Sequence, residues 1–219
     1  KGDAVSKLTV MFLQLWYYST YEEKLEFKQY FSTEKYPTDG YVIPFGDGPM
    51  NGHLVGELSY IGIINNAKKY VYITTSYLVL DNEMITALKL ADQSGVDVRI
   101  ITPHIPDKWY VHMVTRSNYP ALVYSGVRIF EYEPGFIHQK TIVADDETAI
   151  VGTANFDFRS FYLHFENGIY MYKSKAVMQV KNDYDKMLGQ CIEMTPEKCK
   201  TTLLKKFILS VMKLFSPFL

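Results

Sequence analysis

Cysteine is scarce in this chain, and the little there is excludes two roles. Cys191 and Cys199 flank the Thr195-Pro196 break, and without C-x2-C spacing they offer no zinc site and imply no disulfide. Charge of one sign is also lacking, since 23 Lys and Arg against 24 Asp and Glu leave a formal net charge of -1. A general nucleic-acid binder shows a basic balance, so nucleic acid is not the expected partner. No apolar run reaches the roughly 18 uncharged residues of a spanning helix, and any membrane-spanning anchor is expected upstream of Lys1. No secretory signal opens the chain, and no internal repeat or low-complexity segment is visible. Aromatic residues, by contrast, make up 15% of the chain, with 18 Tyr, which we read as a large strand-rich core in preference to a lipid-facing surface. A length of 219 residues with 47% apolar content suits one domain with appendages.

The residues that carry chemistry gather in the stretch 133–166, EPGFIHQKTIVADDETAIVGTANFDFRSFYLHFE. Of the histidines His53, His104, His112, His138 and His164, only His138 has a lysine two places on. His138, Lys140 and Asp145 form H-x-K-x4-D, and Gly152, Thr153 and Asn155 follow as G-T-x-N. Alternation at period two makes 138–143 a strand, with Ile137, Thr141 and Val143 on one face and His138, Lys140 and Ile142 on the other. Asp145, Asp146 and Glu147 make a polar turn, and 148–151 returns antiparallel, bringing 152–155 beside the start of the first strand. Neutral imidazole is a competent nucleophile or proton carrier near neutral pH. Lys140 is a point charge for non-bridging phosphate oxygens, Asn155 and Thr153 donate hydrogen bonds to them, and Gly152 lets backbone approach closely. Glu166, at the start of an expected strand over 167–172, is the candidate carboxylate to fix the His138 tautomer. Asp145, past the strand end, reads as an acceptor in the turn. The set points to displacement at a phosphodiester.

These motifs resemble those of the phospholipase D superfamily. The run GTANFDFRSFYLHFE, with Asp157, Arg159 and Ser160 in place, is similar to the second catalytic half of bacterial cardiolipin synthases. Residues 70–108 and 116–140 resemble that half in order and spacing. Departures are Ser76 and Leu78, where Pro and Phe are usual, and Gln139 for a small residue; they bear on the acyl-chain pocket more than on the chemistry. The resemblance implies phosphatidyl transfer at the bacterial cytoplasmic membrane: two phosphatidylglycerols give cardiolipin and glycerol through a phosphohistidine, with no metal or other cofactor. It implies catalytic roles for His138, Lys140, Asp145, Asn155 and Glu166, and substrate binding by Gly152, Thr153, Arg159 and Ser160. It also puts Tyr77, Arg116 and Tyr119 near the lipid path. Such a site is built from two H-x-K-x4-D motifs, and this chain has one. The implied partner is the N-terminal half of the same protein or a second copy, and the isolated chain is expected to be inactive.

Taken in order, the chain begins without a start methionine and enters a helical pattern, with Leu8, Met11, Phe12, Leu15 and Trp16 recurring at three and four. We expect residues 1–36 to be the last helix of a missing first half plus linker, 37–195 the phospholipase D-like half, and 196–219 an amphipathic tail. A charged stretch at 22–28 and a polar linker at 32–40 precede a strand at 41–45. The Gly-rich 46–52 reads as a plain turn, since it lacks P-loop spacing. A helix at 53–67 is expected to turn Leu54, Leu58, Ile61 and Ile63 or Ile64 inward. Strands at 70–76 and 97–102 around a helix at 82–94 imply crossovers, hence an α/β fold: a mixed, largely parallel sheet covered by helices on both faces. His104, His112 and Arg116 match no compact ligand set and read as surface or capping residues, with His164 at an edge. In 201–219, Leu203, Phe207, Val211, Leu214 and Phe215 form an apolar arc opposite Lys206 and Lys213. That pattern suits an anionic membrane surface or docking on its own domain, and the resemblance favours the membrane. Two other functions stay open: a single-motif phosphodiesterase or endonuclease working as a homodimer, and a non-catalytic membrane-binding half.

Overall fold

Short runs of Val, Ile, Tyr and Thr make the strands, and the apolar stripes between them make the covering helices. In the computed structural model the strands are β1 (Tyr41–Asp47), β2 (Tyr70–Thr74), β3 (Leu78–Val79), β4 (Asp97–Pro103), β5 (Arg128–Tyr132), β6 (Thr141–Ala144), β7 (Thr148–Gly152), β8 (Phe156–Asp157), β9 (Glu166–Tyr172) and β10 (Cys191–Met194). The helices are α1 (Ala4–Thr20), α2 (Val55–Asn66), α3 (Asn82–Gln93), α4 (Trp109–Val123), α5 (Phe158–Tyr162), α6 (Lys175–Leu188) and α7 (Leu203–Leu214). The described residues are 1–21, 27–37, 39–50, 52–200 and 202–214. Most of the charged stretch 22–28, Asn51 of the Gly-rich turn and Phe215 of the tail lie outside them, as do the side chains of Leu203, Lys206, Lys213 and Leu214.

The main sheet has eight strands in the order β1-β9-β7-β6-β2-β4-β5-β10. It is a mixed α/β sheet, but its parallel part is smaller than the sequence suggested. The β2·β4 and β4·β5 ladders are parallel, whereas β1·β9, β9·β7, β7·β6, β6·β2 and β10·β5 are antiparallel. The reason is which strands become neighbours. The α3 and α4 crossovers set β2, β4 and β5 side by side and parallel, whereas α2 and α6 join strands that are not adjacent in the sheet, and the remaining neighbouring pairs are antiparallel.

Both faces carry helices. On one, Tyr60, Ile63 and Ile64 of α2, Met84 and Leu88 of α3, and Tyr119 and Leu122 of α4 pack against Val71, Ile73, Ile100, Ile129, Ile142 and Ile150. On the other, Val177 and Tyr184 of α6 cover Tyr70, Tyr72, Ile101, Phe130, Val143 and Ala149. Adjacent β6 residues Ile142 and Val143 fall in different clusters, the period-two split of a strand buried on both sides. Leu58 does not turn inward: it is 59% exposed, because α2 takes its phase from Tyr60, Ile63 and Ile64. Phe12, Leu15 and Trp16 of α1 are likewise exposed, with Leu13 the buried residue of that helix. The segment 103–124 contains α4 despite Pro120, which sits in the last turn, where the following Tyr124 N–H still reaches the Pro120 carbonyl.

Candidate active site

The site lies beyond the carboxyl ends of the parallel strands, where open α/β sheets gather ligands. At the end of β2 the chain runs Thr74-Thr75-Ser76-Tyr77 before pairing as β3 with β8. Thr75 pins this bend. Its N–H donates to Ile101 O at 3.1 Å, its hydroxyl donates to Tyr77 O at 2.8 Å, and the same hydroxyl accepts the Phe156 N–H at 3.0 Å. The segment after Asn155 is thereby tied to the exit of β2.

Lys140 and His138 precede β6, whose hairpin with β7 is in the register Thr141↔Val151. One further bond, Gly152 N–H to Lys140 O at 3.2 Å, extends the pairing. Lys140 is 5% exposed. Its ammonium donates to the His138 carbonyl at 2.7 Å and to Ser76 Oγ at 3.0 Å. Burial lowers its pKa below the usual lysine range, partly offset by the carboxylates of Glu166, Asp157 and Asp107. His138 is exposed, with its ring 5.9 Å from that of Phe136, which in turn lies 6.3 Å from Tyr77. An exposed imidazole thus stands two residues from a buried ammonium that holds the histidine's own carbonyl, and the charges of Glu166, Asp157 and Asp107 act on that ammonium.

The G-T-x-N segment is used mostly by the fold. A Cβ at Gly152 would stand 2.6 Å from Asn167 O, so glycine is required by the close approach of β7 and β9. Its N–H is committed to Lys140 O and is not available to a phosphate. Thr153 donates from its hydroxyl to Glu166 and accepts the Asn167 N–H at 3.0 Å, stapling the start of β9. Asn155 gives its backbone N–H to Ser160 Oγ at 3.1 Å, while its side-chain Oδ1 is buried without a partner among the described residues. Ser160 is buried and receives α5 capping through its own N–H to Asp157 at 2.7 Å. Burial raises the Asp157 pKa even so. The half-buried Arg159 side chain makes no ion pair or hydrogen bond among the described residues, leaving its guanidinium available to an anion.

Three sequence expectations are changed by this geometry. Among the described residues no hydrogen bond joins Glu166 to His138; the Glu166 carboxylate takes the Thr153 hydroxyl and lies 3.7 Å from Nδ1 of His164. His164, two residues before Glu166 opens β9, is therefore its neighbour. Arg116 does not stand free beside a lipid path: its Nε and Nη2 grip the buried Glu131 at 2.7 and 2.5 Å. His104 Nδ1 at 2.8 Å and the buried Tyr119 hydroxyl at 3.1 Å complete that cluster, so Tyr119 belongs to the interior while the His104 ring keeps one side in solvent. Asp145 lies past β6, at the end of the hairpin away from His138, and accepts the N–H groups of Lys68, Lys69 and Tyr70. Tyr77 donates to Asp107 at 2.5 Å at the rim. Ser76, which the resemblance tied to the acyl-chain pocket, stands against Lys140 instead, and the one signal of this in the sequence is the run of hydroxyl side chains ending a buried strand. Among the described residues no cluster of His, Cys, Asp and Glu has the makings of a metal site.

Beside the site, α1 and the 165–167 segment enclose a groove of about 460 Å³. Leu8, Met11, Phe12 and Leu15 line it on one side and Phe165 on the other, with Glu166 and Asn167 at its polar end. No helix among the described residues is long and apolar enough to cross a membrane.

Comparison with known proteins gives the geometry a family. The family described as "Cardiolipin synthase, PLD-like domain" matches residues 60–188. A cardiolipin synthase of Alkalihalophilus pseudofirmus is 40% identical over 186 residues, covering 84% of this chain and 37% of that protein. Cardiolipin synthase 2 of Bacillus anthracis is 36% identical over 222 residues, covering all of this chain and 43% of that protein. An uncharacterized protein of Streptococcus mutans is 43% identical over 222 residues, with 48% of its length covered. The chain thus spans less than half the length of these curated relatives. Among solved structures, phosphatidylserine synthase of Haemophilus influenzae superposes with a TM-score of 0.63 at 18% identity, covering 81% of this chain and 48% of that one. The phospholipase D family member Nuc of Salmonella typhimurium gives 0.60 at 17% identity, covering 71% and 99%; both show a shared fold. The chain belongs to the family of cardiolipin synthase PLD-like domains.

Proposed function

We propose that this chain is one catalytic half of a phosphatidyltransferase that joins two phosphatidylglycerols into cardiolipin and glycerol. The observation that carries the proposal is the buried Lys140 ammonium held against the backbone of an exposed histidine. A desolvated cation is costly to the fold, and it acts most strongly on charge that develops beside it.

In the cycle one histidine attacks phosphorus of the first phosphatidylglycerol, and the P–O bond to the headgroup glycerol breaks. A second histidine gives that glycerol its proton. The same histidine then takes the proton of a second phosphatidylglycerol's headgroup hydroxyl, whose oxygen attacks the phosphohistidine and frees the first imidazole. His138 fills one of these two roles, and a second H-x-K-x4-D motif, from the same protein or another copy, fills the other. Lys140 neutralises the non-bridging oxygens. Asn155 and Arg159 are their further donors, and Glu166 with His164 borders the cleft. The apolar groove beside Glu166 suits an acyl chain next to a phosphate, and the exposed apolar side of α7 suits a peripheral position on a bacterial membrane.

The test uses the full-length protein with phosphatidylglycerol vesicles. His138→Ala, Lys140→Ala and Asn155→Ala are each expected to abolish cardiolipin formation with thermal unfolding unchanged. Turnover surviving His138→Ala overturns the proposal, and metal-independent DNA cleavage in place of lipid transfer assigns the motif to a nuclease instead.

A further inference from the structure

We infer that Ser76 is a positioning residue for Lys140, fixing the ammonium so that its remaining N–H faces the reacting phosphoryl group. The inference rests on the reading of His138 and Lys140 as a phosphoryl-transfer pair. A lysine ammonium carries three donors. Two are used inside the protein, on the His138 carbonyl at 2.7 Å and on Ser76 Oγ at 3.0 Å. The first acceptor belongs to the same short segment as Lys140, whereas the second comes from the bend after β2.

Ser76 is 3% exposed, and the backbone around it has little freedom. Thr75 is hydrogen-bonded to Ile101, Tyr77 and Phe156, and the Leu78 N–H donates to Thr115 Oγ1 at 3.2 Å. A hydroxyl on so constrained a bend is a fixed reference point, and four flexible methylenes are what it has to hold. The Ser76 hydroxyl proton has no acceptor of its own among the described residues, so it too can be given to a phosphate oxygen. The charged groups facing Lys140 are Glu166 from β9, Asp157 from β8 and Asp107 from the loop after β4. All three attract the ammonium, and the serine is the side-chain acceptor that fixes where it sits among them. Burial already pulls the lysine below its usual range, and removing an acceptor moves it further the same way.

The experiment compares Ser76→Ala, Ser76→Thr and Ser76→Cys in the full-length protein, reading kcat against pH, together with a 13C titration of the Lys140 Cε resonance in this chain. Ser76→Ala is expected to lower kcat about ten- to hundred-fold, the range for one hydrogen bond to a charged group, with KM for phosphatidylglycerol little changed. Its alkaline limb and its Lys140 midpoint both move to lower pH by about one unit, as the loss of such a bond implies. Ser76→Thr keeps both near those of the parent. If Ser76→Ala fails to fold, Ser76→Cys, of similar size but a weak acceptor, shows the same downward shift. A variant lacking the hydroxyl that titrates and turns over like the parent overturns the inference. The resonance titration reports on the Ser76–Lys140 contact whether or not His138 proves catalytic, so the two claims fail separately.

Discussion

The backbone N–H of Tyr70 and the carboxylate of Asp145, 75 residues apart in the chain, meet at 2.9 Å. With the N–H groups of Lys68 at 2.6 Å and Lys69 at 2.8 Å, this makes Asp145 the clasp between the start of β2 and the β6–β7 turn.

The clasp is a stability device. Burial works against the charged carboxylate, but the three N–H bonds and the Lys69 ammonium outweigh it and hold the Asp145 pKa below the usual range. A depressed carboxyl stabilises the fold above its unfolded pKa and ceases to do so as pH falls through the folded one. Asp145 also has φ 56, a conformation that Asn tolerates and Ala does not. Asp145→Asn is expected to cost about 1–2 kcal/mol and Asp145→Ala about 3 kcal/mol at neutral pH, the gap to the parent narrowing below about pH 4. Thermal unfolding from pH 2 to 7 measures this. A variant as stable as the parent at pH 7 refutes the clasp.

Arg116 and Glu131 give a second test. Burial opposes the Glu131 charge, yet the hydrogen bonds from Arg116 and His104 leave its pKa lowered. Arg116→Met strands a buried carboxylate, a loss of about 2–3 kcal/mol, at the low end for a broken buried pair because Arg116 keeps one side in solvent. Pairing it with Glu131→Leu removes the stranded charge and is expected to recover most of that loss. Urea denaturation of the single and double variants decides the matter, and a double variant no better than the single one contradicts it.

How much of this was legible in the sequence depends on how far apart the partners lie. The β6–β7 hairpin followed from alternation and one polar turn, both local signals, although β6 begins only at Thr141, after His138 and Lys140. Ser76 with Lys140 and Arg116 with Glu131 join elements that no periodicity connects. Leu58 was misplaced because several stripes of α2 are apolar, so that its phase is set by the sheet beneath it. The parallel share of the sheet was overestimated because strand and helix alternation does not say which strands become neighbours, and β1 and β10 join the sheet against antiparallel partners.

Glu57 predicts an unusual pH response. Burial first, then the hydrogen bond and charge of Asp81, push its carboxyl up to about 7, and Tyr162 bridges the two acids at 3.2 and 3.1 Å. A raised carboxyl contributes stability that is complete below its unfolded pKa and lost as pH rises through the folded one, here between about 4.5 and 7. Glu57→Gln cannot lose a proton, so it is expected to melt above the parent at pH 8 and not at pH 5. Melting curves at the two pH values that differ by the same amount rule this out.

The last helix separates the two readings of the tail. Leu209 is buried and Met212 packs near Val79, Val111 and Val114, so α7 is docked on its own domain. Phe207, Ile208 and Val211 nevertheless remain 68%, 45% and 41% exposed, and Lys198, Lys200, Lys205, Lys206 and Lys213 lie in or beside the same segment. Docking therefore uses one side of the helix and leaves an apolar side uncovered, the arrangement of an interfacial helix already held in place. Partial insertion of each large side chain contributes about 1 kcal/mol, a fraction of full burial. Phe207→Glu with Val211→Glu is accordingly expected to weaken binding to phosphatidylglycerol vesicles by at least about ten-fold, with unfolding temperature unchanged. Added salt weakens the parent as well, through the lysines. Leu209→Asp is the control, since it disturbs docking and lowers the unfolding temperature. Vesicle cosedimentation in which the double glutamate variant partitions like the parent removes α7 from the membrane contact.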